Sequence, residues 1–165
     1  MWSLPQAHRY IVDLEPITRE KRMRPPAEDA RTSAQHQRPP NAEAVIRTVP
    51  MPSDCNPNGD IFGGWVLAQM DVAGGIVAYR RAQGRVVTVG VNAMTFHQPI
   101  RVGDVVAIYA WVKKIGRTSI AVEMQTVVNR RLTAQEIAGE ILVTEGTYTY
   151  VAIDEKGRPR RVPGE

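Results

Sequence analysis

One cysteine, Cys55, stands in a chain of 165 residues. An internal disulfide framework and a multi-cysteine metal site are therefore excluded, and the chain suits a reducing compartment. No stretch approaches the roughly 18 apolar residues that cross a bilayer. The opening MWSLPQAHRYIVDLEP lacks the basic start, the unbroken apolar run and the small-residue cleavage site of a secretory signal. These absences predict a cytoplasmic protein without a membrane partner. Charge of one sign is also short: 21 Lys and Arg against 17 Asp and Glu leave a net charge of only +4. The basic residues are scattered or paired, as at Arg80-Arg81, Arg130-Arg131 and Arg160-Arg161. They form no stripe interleaved with aromatics and no reader motif, which argues against nucleic acid. They read as solvated turn residues, or a few of them as contacts to a small molecule carrying phosphates.

Apolar residues make up 43% of the chain and charged ones 23%, an ordinary globular balance for one domain with its own core. Six of the twelve prolines fall before Asn41, with mixed charge and little periodicity. Residues 1–41 are accordingly expected to form a largely disordered extension, with at most a short helix or strand around Tyr10 to Leu14. The domain is expected over residues 42–163. Within it, AVIRTV (44–49) reads as a short strand stopped by Pro50 and Pro52, followed by a loop from Ser53 to Asp60. GGWVLAQMDVAGGIVAYRRAQG (63–84) has helical spacing, with Val66, Met70, Ala73 and Val77 on one face and Gly84 as the stop. Four strand-like runs follow: RVVTVGVNAMTF, closed by Pro99; DVVAIYAWVKK and TSIAVEMQTVVNRR, split by a turn at Ile115-Gly116-Arg117; and EIAGEILVTEGTYTYVAID, ending near Gly157. Their connections are too short for parallel crossovers. The fold class predicted is α+β, a long helix wrapped by a curved antiparallel sheet, the arrangement called a hotdog fold.

The stretch NPNGDIFGGWVLAQMD, Asn56 to Asp71, concentrates the chemistry. Asp60 is placed to cap the helix, while Gly63 and Gly64 keep its mouth clear of side chains. A bare helix N-terminus offers amide N–H groups and a positive dipole to a polarised carbonyl or oxyanion. Asp71 lies on a second helix face of small residues, with Leu67, Gly74, Gly75 and Ala78. Glycine inside a helix costs roughly 1 kcal/mol relative to alanine, so close approach of another backbone is expected there. A partly buried carboxylate at such a boundary is suited to act as a base. Eight residues separate Asp71 from Gly63, about 12 Å at 1.5 Å per residue. One carbonyl cannot touch both, but two subunits with antiparallel helices would set the mouth of one beside the Asp71 of the other.

The run from Asn56 through Asp60, Gly63-Gly64-Trp65, Gln69-Met70-Asp71 and Gly74-Gly75, then Arg85-Val-Val-Thr-Val, Met94-Thr-Phe96, Val102-Gly-Asp104 and Gly116-Arg-Thr-Ser119, resembles the YciA-type acyl-CoA thioesterases. The likeness spans about Ala44 to Pro163. It implies a hotdog hydrolase of fatty acyl-CoA, built of dimers and as a homohexamer, a trimer of dimers. It needs no cofactor, since coenzyme A is part of the substrate and product. It implies that Asp71 is the essential carboxylate, that Asp60 contributes from the opposing subunit, and that Gly63 and Gly64 bind the carbonyl. Asp71 would then activate water or attack directly, and Asp60 and Asn56 would orient the water or the loop. Arg117, Thr118 and Ser119 are candidates for contacts to the coenzyme, as are Arg158 and Arg160 for its phosphates. Cys55 and His97 read as structural residues. The rival reading is a binding module for coenzyme A or acyl groups without hydrolysis, in which Asp60 and Asp71 together have no evident use.

Overall fold

The computed structural model describes residues 38–131 and 137–164. The expectations for Tyr10 to Leu14 and for nearly all of the extension lie outside the described residues. The elements in chain order are β1 (Ile46–Thr48), a 3-10 turn (Pro52–Asp54), α1 (Gly63–Ala82), β2 (Val86–Phe96), β3 (Val105–Ile115), β4 (Ser119–Arg131) and β5 (Ile137–Ala152). All five strands pair antiparallel in the order β1-β3-β4-β5-β2. The sheet therefore ends on short β1 at one side and on long β2 at the other.

Period-two patterning explains which face meets the helix. Ile120, Val122, Met124, Thr126 and Val128 alternate along β4 and are all buried, with Ile120 opposite Tyr150 and Val122 opposite Tyr148 of β5. The helix replies with Val66, Met70, Ala73, Gly74, Ala78 and Ala82. Burying a side chain such as Val66 or Met70 contributes roughly 1.5–3 kcal/mol each. Gly74 is small for a reason in the same chain: a Cβ there would collide with the Tyr150 hydroxyl and lie 3.0 Å from Met124 Sδ. Gly75 has no such neighbour, the nearest atom to a Cβ being Tyr150 Cε1 at 3.9 Å.

The outer face of the sheet has its own apolar patch, Ala107, Tyr109 and Val127, covered by Ala42, Ala44, Trp111 and Leu142. Arg38 lies 3.9 Å over the Tyr109 ring and pairs with Glu140 at 2.9 Å. Residues 38–44, the end of the expected extension and the start of the domain, are thus fastened across the sheet. No helix among the described residues is long and apolar enough to cross a membrane.

Candidate active site

Two clusters form, one at each flank of the first half of α1. The first is the helix mouth. Asn56 organises the loop before it: its Oδ1 accepts the amides of Asn58 at 2.8 Å and Asp60 at 3.3 Å, and its own amide donates to Asp60 O at 2.7 Å. Gly59, at φ +85°, supplies the left-handed turn this loop requires. The Ile61 amide then donates to Ile100 O at 2.9 Å, which stitches the loop to the Pro99–Gly103 turn. The expectation that Asp60 caps α1 is overturned. The N-cap is Phe62, with no side-chain hydrogen bond, and Asp60 instead forms a β-bridge with Arg101. The helix start falls three residues beyond Asp60, out of capping reach, so no side chain competes for the first-turn amides. Among the described residues, no atom outside the adjoining helix backbone lies within 4 Å of where a Gly64 Cβ would sit, and a Cβ at Gly63 would touch Phe96 at 3.5 Å. The glycines leave space that the described residues do not fill.

Behind the mouth, Arg130 grips Asp104 through Nε at 2.9 Å and Nη2 at 2.6 Å, and donates from Nη2 to Pro99 O at 2.9 Å. Burial pushes the Asp104 carboxyl up, but the Arg130 hydrogen bonds, the Arg101 amide and the two guanidinium charges carry it below its ordinary value. The hydrogen bond to Asp104 raises Arg130 in turn, with a further contribution from the charge of Asp60. A cavity of about 320 Å³ opens beside the mouth, bordered by Asn56, Asp60, Gly63, Phe96, His97 and Thr144 among others.

The second cluster surrounds Asp71, which is half-buried. Its Oδ1 accepts the Thr88 hydroxyl at 2.7 Å and the Tyr150 hydroxyl at 3.3 Å. Tyr150 also donates to Asp71 O at 3.1 Å, and Tyr148 to Leu67 O at 3.1 Å. Burial first, then the Asp71 charge, pushes the Tyr148 hydroxyl up to about 12 and the Tyr150 hydroxyl higher still, so both remain donors. Oδ2 of Asp71 accepts no hydrogen bond among the described residues. The carboxylate is anchored through one oxygen and presents the other.

Residues 58–130 match the Thioesterase superfamily. The acyl-CoA thioester hydrolase YciA of Salmonella typhimurium is 48% identical over 124 residues, covering 75% of this chain and 92% of that protein. The chain belongs to the YciA family of acyl-CoA thioester hydrolases. Solved structures agree in fold. The hexameric thioesterase y2039 from Yersinia pestis superposes with a TM-score of 0.70 at 49% identity, covering 76% of this chain and 99% of that one. The hexameric broad specificity acyl-coenzyme A thioesterase HI0827 superposes at 0.68 with 46% identity, covering 75% and 83%.

Set against this YciA-family frame, the residues singled out in the sequence divide cleanly. Asn56, Asp60, Gly63 and Gly64 are brought together at the mouth, and Asp71 stands apart from them along the helix. Arg117, Thr118 and Ser119 lie where β4 begins, beside the end of β5, for Thr118 O accepts the Ala152 amide at 2.9 Å. Ser119 pairs with Val151, one position from Tyr150, so these residues flank the Asp71 side of the sheet rather than the mouth. Arg158 and Arg160 both have partners within the chain. Arg158 pairs with Asp154 at 2.9 Å, and Arg160 caps the far end of α1, donating to Ala82 O at 2.8 Å and Ile153 O at 3.1 Å. Cys55 forms a β-bridge with Ile61 and packs against the core. Among the described residues no cluster of metal-ligating side chains occurs.

Sequence reading missed Thr88, Tyr148 and Tyr150. A signal existed: the alternation TYTYV puts both tyrosines on one strand face, and Gly74 on the helix marks where a large neighbour must fit.

Proposed function

We propose that this chain hydrolyses acyl-CoA thioesters to the free acid and coenzyme A at a site completed by a second copy of itself. The observation that carries this reading is the separation of two complementary halves. The mouth offers uncapped amides at Gly63 and Gly64, and Asp71 presents one free carboxylate oxygen, about 12 Å further along the same helix. Neither half can finish the reaction alone.

The open edge of the sheet supports how they meet. β2 has no partner strand on its outer side among the described residues, and Val87, Val89, Val91 and Phe96 along it are exposed. Such an edge is a template for pairing. Antiparallel pairing of β2 with its copy about the middle of the strand brings Phe96, which borders Gly63, beside Thr88 of the other copy and hence beside its Asp71. Both related structures described above are hexameric, which supports a trimer of such dimers here.

In this site the thioester carbonyl accepts from the Gly63 and Gly64 amides, where the helix dipole favours the developing oxyanion. Asp71, held by Thr88 and Tyr150, uses Oδ2 to take a proton from the attacking water. The tetrahedral intermediate collapses with departure of the coenzyme thiolate, a good leaving group that needs no strong acid. Asp60 and Asn56 shape the mouth and order the water, and Arg117, Thr118 and Ser119 contact the coenzyme. The reaction runs without a cofactor, in residues 42–163, in the cytoplasm.

Thiol release from a panel of acyl-CoAs, short to long, tests this. Asp71→Ala is expected to lower kcat by roughly a thousandfold, as for loss of a general base. Undiminished turnover in the variant would sink the site. Binding without turnover by the wild type on every chain length would leave only a binding module.

A further inference from the structure

From Gly63 to Tyr79 the helix α1 carries one charged residue, Asp71. A helix lying on a sheet ordinarily turns a charged face to water, and one that is apolar all round is buried on every side. The face of α1 that meets the sheet is built on Val66, Met70 and Ala73. On the opposite side Ala68, Val72, Gly75 and Tyr79 repeat at i, i+4, i+7 and i+11, one row along the helix. Val72 is 54% exposed and Tyr79 55%, Ala68 is exposed as well, and Gly75 is half-buried. The row is apolar and faces water.

Gly75 adds a second observation. Glycine is a poor helix former, and crowding by Tyr150 and Met124 accounts for Gly74 but not for Gly75. Outside the helix's own backbone, the nearest described atom to a Cβ at Gly75 would be Tyr150 Cε1, at 3.9 Å. With Ala68, Gly75 lowers the surface of the helix and lets a second backbone come close. The β2 edge does not supply that backbone. Edge pairing extends the sheet sideways and sets the second copy beside α1, whereas the row points away from the sheet. Six copies built as three such dimers need a second kind of contact. Other exposed apolar side chains, such as Val49, Met51 and Val102, stand on loops and form no repeating face.

We infer that the row of Ala68, Val72, Gly75 and Tyr79 packs against the same row of copies in neighbouring dimers, and that this contact gathers three dimers into the hexamer. The inference rests on the assembly proposed above and names the surface that completes it. Removing Val72 and Tyr79 from water drives the contact. Both halves of each site lie within one dimer, so the contact serves assembly rather than chemistry.

Sedimentation velocity on the full chain tests this with the wild type, Val72→Glu, Tyr79→Glu and, as a control, Met51→Glu, whose side chain is 62% exposed on a loop. A carboxylate pressed into an apolar contact finds no partner there. The wild type and Met51→Glu are expected as hexamers, and Val72→Glu and Tyr79→Glu as dimers, with helical circular dichroism unchanged. Hexameric mass in either helix variant overturns the proposal, and that is the result if residues 1–37 or another protein cover the row instead. Monomers overturn it as well, since the row would then belong to the contact that makes the dimer. A wild type no larger than a dimer, or a Met51→Glu that dissociates alike, also overturns it. Thiol release from butyryl-CoA is measured on the same wild-type sample. Turnover there keeps the thioesterase reading whatever the masses, and its absence counts against that reading and not against the contact.

Discussion

Asp104 is 2% exposed, bonded by Arg130 through both oxygens and by the Arg101 amide at 2.9 Å. It never reaches the mouth, yet it fixes the turn to which Asp60 and Ile61 are stitched. Its carboxyl is held below the ordinary value of 3.8. A carboxyl depressed in the folded state adds stability that is present above the unfolded value and is lost as pH falls through the folded one. Thermal melting is therefore expected to be level in this respect above pH 4 and to fall as pH drops below it. Asp104→Asn should flatten that acid limb while costing on the order of 3 kcal/mol at neutral pH, because Arg130 loses its buried partner. An acid limb identical in the two proteins would show that other carboxylates cause it. At this scale the candidate site was legible in part. Asp71 and the glycines could be singled out from charge, size and spacing, because those depend on the helix alone, while their proposed roles came from the family resemblance. The partners of Asp71 were not, because Thr88 and Tyr150 lie 17 and 79 residues away and only the sheet brings them there.

The helix is the element on which both halves of the chemistry ride, and Gly74 sets its depth against β5. Gly74→Ala is expected to destabilise by about 1–3 kcal/mol, the usual cost of overpacking, since the added methyl meets the Tyr150 hydroxyl and Met124 Sδ. Turnover should fall with it, for Tyr150 must move away from Asp71. Gly75→Ala adds a methyl that, among the described residues and outside the adjoining helix backbone, meets no atom closer than 3.9 Å, so it is the control. Melting curves and thiol release on both variants check this, and equal effects would mean that contact with Tyr150 is not what Gly74 protects. Sequence pattern found the helix and four long strands because their periods are long and unambiguous. It erred at the helix start, where Asp60 has the right chemistry for a cap. The loop pairing through Arg101 and Ile100 wins there, leaving Phe62 as the cap, and it is a tertiary contact that no local pattern announces.

The whole molecule ends in an open strand. Val89 is 58% exposed on β2, and a charge there is the natural way to block edge pairing. Val89→Lys is expected to shift the protein toward monomer in sedimentation and to lower activity in proportion, although the residue touches neither cluster of its own chain. A monomer that keeps full activity would refute the shared site. In the proposed site the mouth of one copy works with the Asp71 of the other, which makes the working unit a pair of reciprocal loans rather than a chain with a site. Two differently damaged copies, one altered at Asp71 and one at the mouth, regain one intact site when they pair. Defects that are each complete alone should thus mend one another in a cell that makes both, while two copies with the same defect cannot.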